Sequence, residues 1–244
     1  MHPDMSKQYI ARHDKAMRTV IQAFTKGQCG SHYLIAEVGK IEGLKDMGVH
    51  SKRVPAFVLP DRFIQARGLD PTVGRGFLQR GAADTRSKMR PDMMIVEMTT
   101  AEQQQYLRHD DNSGSRLTPL TPVMPNGNPR SIQIVEGGYC PDTRYEEKLQ
   151  ENKAQHKALE EALKDYGCNV TTLPIILGQS GPQYHTTFHA LAKIGIEHGP
   201  ASKVTSKLHE HSVLTFHKIL TYRRVLEREK TDKTRQNRPD PPWV

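Results

Sequence analysis

Apolar residues in this chain keep a helical period in some stretches and run together in short blocks in others, and the two kinds alternate. Ile10, Met17, Val20, Ile21 and Phe24 fall on one side of a helix over 9–26 that Gly27 ends. Residues 32–38 read as a short buried strand stopped by Gly39, and 54–59 as a strand broken by Pro55. Residues 93–98 and 132–136 read as the two arms of a hairpin, joined by a long polar loop over 99–130 with a strong turn at Asn126-Gly127-Asn128-Pro129. Asp142 or Thr143 is placed to cap a helix over 144–166 that Gly167 ends, followed by a strand over 169–177 and a helix over 185–194. Helix, strand, hairpin, helix, strand is the order of an α/β core.

Chain length sets the domain plan. At 244 residues the chain buries one substantial core, placed at 1–200. A C-terminal amphipathic helix over 201–229 carries Val204, Leu208, Val213, Phe216, Ile219, Leu220 and Leu226. Residues 230–244 are charged and Pro-rich and are predicted to be a disordered basic tail.

Several classes drop out. No apolar run approaches the roughly 20 residues of a membrane span, and Met1-His2-Pro3-Asp4 does not open a signal peptide. Cys29, Cys140 and Cys168 are isolated and odd in number, which predicts reduced thiols in an intracellular protein. A formal net charge of +8 favours a polyanion partner through counterion release. The chain has no Walker loop, no Gly-x-Ser-x-Gly and no dinucleotide fingerprint. His185 with His189, and His209 with His211, lack the second ligand pair of a zinc site.

Chemistry concentrates at two acidic residues. Asp92 follows Pro91 at the mouth of one hairpin strand, and Glu136 closes the other beside Gly137 and Gly138, which would let a phosphate backbone approach. The helix after them puts Tyr145, Leu149, Leu159, Ala162, Leu163 and Tyr166 on one face. The first half of that face also carries Lys148, Asn152 and His156, with Gln155 at its edge and Lys153 on the flank. Two carboxylates with an ammonium beside them are what metal-dependent phosphodiester cleavage needs, with Mg²⁺ (or Mn²⁺) on oxygen ligands activating a water. Arg75, Arg80, Arg86, Lys88 and Arg90 are candidates to hold phosphates of DNA. The plainer readings are a strand-capping aspartate, a solvated glutamate, an exposed helix start and a solvated basic surface.

Arg12-His13-Asp14 heading a helix, Arg90-Pro91-Asp92 before a strand, and Ile134-Val135-Glu136-Gly137-Gly138-Tyr139 before a lysine-rich helix follow one order. Over about residues 9–195 this resembles the restriction-enzyme-like endonuclease region of non-LTR retrotransposon proteins, part of the PD-(D/E)XK superfamily. The resemblance implies a mixed central sheet flanked by helices, here with the C-terminal helical extension. It puts the metal ligands on Asp92 and Glu136, and it implies nicking of DNA, a nuclear location, and a reverse transcriptase region or its RNA as a further partner. Position 138 is glycine where many relatives carry lysine, so a lysine migrated to the helix must replace it: Lys148 first, Lys153 second, with Gln155 or His156 orienting groups around it. The linker between the two acids is longer than usual, and the chain has no reverse transcriptase or zinc knuckle, which implies a fragment, a domesticated remnant or a decayed copy. Two rivals stand beside a nuclease: a catalytically inactive DNA-binding module of the same fold, and an interaction protein that docks through the 201–229 helix.

Overall fold

The computed structural model describes residues 3–27, 32–36, 49–50, 91–107 and 119–236. The expected strand over 54–59 and the basic residues Arg75, Arg80, Arg86, Lys88 and Arg90 lie outside these, as do Cys29 and residues 237–244.

Helix α1 (Pro3–Gly27) buries Ala16, Met17, Val20, Ile21 and Phe24, the stripe its period predicts. Ile10, on the same side, is instead 60% exposed. Periodicity fixes a direction, and only the neighbouring element decides whether anything covers it.

A five-stranded mixed sheet lies under α1, in the order β2-β1-β3-β4-β5. Its strands are β1 (His32–Ala36), β2 (Val49–His50), β3 (Met93–Glu97), β4 (Ser131–Cys140) and β5 (Asn169–Gly178). β3 runs antiparallel to both β1 and β4, whereas β5 is parallel to β4. Helices cover both faces, which is why the inner strands read as continuous apolar blocks and not as alternating ones. One face packs Met93, Ile95, Val135, Leu173, Ile175 and Leu177 against α1 and the C-terminal helices.

Strand β4 corrects the expected hairpin. It continues past Glu136 through Gly137 and Gly138, pairing with β5 as far as Cys140, so Glu136 sits in mid-strand and the glycines are not a turn. A Cβ on Gly137 would collide with the Met17 sulfur of α1, and one on Gly138 would lie 2.9 Å from Lys148 Cε. The glycines do permit close approach, but by the protein's own helices from opposite faces. Among the described residues β5 is an edge strand, which is where Pro174, with no N–H for the ladder, is tolerated.

The segment between β3 and β4 is not wholly loop. Helix α2 (Thr100–Leu107) opens on a capping box in which Thr99 N–H donates to Glu102 Oε2 at 2.8 Å and Glu102 N–H donates to Thr99 Oγ1 at 3.2 Å. The turn at 126–129 is present, with Gly127 at φ +84°. Arg130, 1% exposed, pins the segment from beneath.

The expected helix over 144–166 is two helices, α3 (Tyr145–Gln155) and α4 (Lys157–Tyr166), broken at the fully buried His156. Its cap also differs. Arg144 takes the N-cap position, and the Asp142 carboxylate instead accepts the Ser180 N–H and hydroxyl. Gly167, at φ +105°, closes α4 as expected.

Helix α5 (His185–Lys193) leads into α6 (His198–Gln236), which runs past the expected end at 229 and makes 230–236 helical. Ala201, Val204, Leu208, Ser212 and Ile219 form its buried stripe. Val213 and Leu220, assigned to that stripe from sequence, are 41% and 36% exposed. Among the described residues, no helix is long and apolar enough to cross a membrane.

Candidate active site

The N-terminal end of β3 lies beside the middle of β4, because Met93 pairs with Val135. That register sets Asp92 next to Glu136, and each carboxylate accepts a backbone N–H from the neighbouring segment. Asp92 Oδ2 accepts the Gly137 N–H at 2.7 Å, while Glu136 Oε2 accepts the Asp92 N–H at 3.3 Å. Two carboxylates are thereby drawn together by sheet pairing, with the Gly137 N–H of β4 holding Asp92.

Each acid is also held by a histidine from a different layer. From α1, His13 Nε2 lies 2.9 Å from Asp92 Oδ2, and His13 Nδ1 lies 3.4 Å from Asp14 Oδ1. From the other face, His156 Nε2 lies 2.7 Å from Glu136 Oε2, and Gln155 Nε2 donates to Glu136 Oε1 at 2.8 Å. The helix break at His156 accompanies this contact, because the chain leaves helical geometry at the residue whose ring reaches the carboxylate.

Burial pushes the Glu136 carboxyl above its ordinary range; the hydrogen bond from His156 opposes this and the Asp92 charge adds to it. Burial alone would lower His13, but its hydrogen bond to Asp92, the Asp92 charge and Asp14 outweigh it and raise the imidazole to about 9. His13 is therefore an imidazolium at neutral pH. Because the folded value exceeds the ordinary 6.5, this pairing stabilises the fold fully below about 6.5 and is lost as pH rises through about 9. In Asp92→Asn the attraction of Asp92 disappears while burial and the smaller pull of Asp14 remain, so the His13 pKa is expected to fall well below about 9. An NMR titration of the imidazole Hε1 checks this; a value still near 9 would mean that Asp92 does not hold the ring.

Lys148 and Asn152 occupy the space over Gly138. Lys148 Cε is 2.9 Å and Asn152 Nδ2 3.2 Å from where a Cβ would stand, and Lys148 Nζ reaches Glu151 at 3.3 Å. Asn152 is fully buried, and neither its Nδ2 nor its Oδ1 has a hydrogen-bond partner. Such a group is costly unless something else satisfies it, which marks this corner as built for a polar occupant.

No protein-family model, curated protein or solved structure matches the chain.

Of the residues singled out from sequence, Asp92, Glu136 and Gln155 are brought into direct contact, and Lys148 lies over the adjoining glycine. Lys153 is exposed on the helix surface. The sequence marks His13 only within the tripeptide Arg12-His13-Asp14, with no role of its own. Its signal was a polar residue one helical turn before Met17, on the core-facing side of α1. The histidines weighed for zinc have other contacts: His185 and His189 stack edge to face with ring centroids 4.0 Å apart, and His209 Nδ1 lies 2.7 Å from the Gly181 carbonyl oxygen.

Mg²⁺ is commonly bound through one or two carboxylates and retains several waters, so Asp92 and Glu136 fit it as a donor set. Among the described residues there is no group of three or more His, Cys, Asp or Glu that could cage a metal by itself. Binding would need Glu136 to share oxygens now occupied by Gln155 and His156.

Proposed function

We propose that this chain is a metal-dependent DNA endonuclease of the PD-(D/E)XK type, related to the nucleases of non-LTR retrotransposons. The observation that carries the reading is the meeting of Asp92 and Glu136 at neighbouring strand positions, with Lys148 over position 138. A lysine on the strand at 138 would project into the space that Lys148 enters from α3.

Asp92 and Glu136 would hold Mg²⁺, which when bound supplies charge neutralisation and a water of lowered pKa. The remaining work falls to this chain's own groups. Lys148 stabilises the negative charge that grows on the phosphate in the transition state. Gln155 and His156 fix the orientation of Glu136, and the His13 ring, in contact with Asp92 Oδ2, holds that carboxylate in place. Asn152 offers a donor and an acceptor to whatever enters beside Lys148.

A supercoiled-plasmid nicking assay in Mg²⁺ tests the reading. Lys148→Ala is expected to lose about 100-fold or more, the scale of removing one preorganised charge donor. Adding Gly138→Lys to that variant is expected to restore a measurable part of the rate, by supplying the ammonium from the strand. No nicking by the wild type would reject the nuclease.

One observation favours a second reading, a binding module with an inactive site: both Glu136 oxygens already accept hydrogen bonds from the protein. Steeply salt-dependent DNA binding with no Mg²⁺-dependent cleavage would identify it. An interaction role for α6 draws on its exposed Val213, Leu214, Leu220 and Val225. Cutting the chain after residue 200 would uncover Ala201, Val204 and Leu208, so Leu214→Ser is the cleaner probe of that role, read by sedimentation.

A further inference from the structure

A groove of about 530 Å³ runs between α1 and α6, lined by Asp14, Lys15, Arg18, Thr19 and Gln22 from α1 and by His211 from α6. The α1 positions recur every three or four residues and form one stripe. From 14 to 22 it is about 12 Å long at 1.5 Å per residue, the length of three or four nucleotides at about 3.4 Å each. One end adjoins the proposed active site, since Asp14 contacts His13 and His13 contacts Asp92.

Two of the residues that line this groove each carry a buried atom without a hydrogen-bond partner: Arg18 Nε and His211 Nδ1. Arg18 Nε is a donor only, so an acceptor is what it lacks. Positive charge converges at the same place. His211 is held below its ordinary range by burial, then by the charge of Lys15, with Glu210 opposing and Lys207 adding to the effect. The acid at the end, Asp14, is in contact with His13 Nδ1 at 3.4 Å. An elongated groove with cations, an unsatisfied donor and hydroxyl and amide side chains suits a run of phosphodiester oxygens.

We infer that the α1–α6 groove carries the DNA backbone flanking the cleaved bond, with Lys15 and Arg18 each neutralising one phosphate and His211 donating a hydrogen bond. The choice of DNA as ligand rests on the nuclease reading; the groove and its charges do not.

The test is equilibrium binding of a short DNA duplex over a range of salt concentrations, with every protein in the Asp92→Ala background so that nothing is cut. Lys15→Ala with Arg18→Ala is expected to flatten the slope of log affinity against log salt by about two, at about 0.9 per phosphate contact. Gln22→Lys, at an exposed position, is expected to steepen it by about one and needs no buried group to change. Lys157→Ala, on α4 across the sheet, is the control and should leave the slope alone. Unchanged slopes in both groove variants would overturn the inference, while nicking by the wild type would leave the nuclease standing. Altered slopes without wild-type nicking would support the groove and reject the nuclease. If the double alanine variant fails to fold, Gln22→Lys decides. A wild type that binds no DNA at low salt overturns the inference.

Discussion

Asp92→Ala is expected to reduce plasmid nicking by at least about 1000-fold, at or beyond the upper end of what a single electrostatic donor contributes to a transition state. The acid has two jobs. It gives one oxygen to the Gly137 N–H and to His13, and it completes the pair of carboxylates with Glu136. Losing it leaves the Gly137 N–H without that acceptor and His13 without its counter-charge, at a cost of about 1–3 kcal/mol of stability. That cost leaves the fold intact, so salt-dependent DNA binding measured on the same preparation should persist. Glu136→Gln separates charge from shape. It keeps the volume beside Gln155 and His156 but removes the negative charge, and a comparable loss of nicking is expected. Cleavage that survives both substitutions would sink the assignment of the site, whatever the fold.

The largest expected effect on stability lies elsewhere, at Arg130. Its guanidinium is buried and fully engaged: Nε donates to the Thr121 carbonyl at 2.7 Å, Nη1 to the Glu97 carbonyl at 2.6 Å, and Nη2 to Glu102 Oε1 at 2.9 Å. One side chain thus ties the end of β3, the first turn of α2 and the approach to β4. Burial raises the Glu102 carboxyl, but Arg130 and the Thr99 cap together hold it below its ordinary range. Arg130→Met fills the space and satisfies none of these acceptors. Breaking a buried charged pair on one side costs about 3–5 kcal/mol. Because Glu102 keeps partial access to water, the lower part of that range is expected, or roughly a 10 °C fall in Tm for a chain of this size. Glu102→Gln, which keeps the cap hydrogen bond, should cost less. Equal losses in urea unfolding would show that the carbonyl contacts of Arg130 contribute little.

The elements that could be read from the chain are those whose signals are local. The stripe of Met17, Val20, Ile21 and Phe24, the blocks of β3 and β5, and the glycine that ends α4 all announce themselves within a few residues. The capping box at Thr99 and Glu102 is an equally local signal, within the stretch 99–130 expected as loop. The break at His156 was not legible, because 145–166 keeps one period throughout and the ring's contact with Glu136, on β4, is distant in the chain. β4 outran its expected end for a similar reason. Gly137 and Gly138 look like a turn until β5 lies alongside and helices from both faces fill the space their missing side chains leave.

The candidate site divides along the same line. Asp92 and Glu136 were singled out from residue types and order along the chain, and the lysine on the following helix from the family resemblance. That His13 reaches Asp92, that Asn152 is buried without a partner beside Gly138, and that Lys15, Arg18 and His211 share a groove depended on how the layers assembled. Local sequence sets backbone period and chain reversal through interactions spanning a few residues. Which side chains meet across the layers is set by strand register and helix docking between segments distant in the chain, and no local pattern encodes those distances.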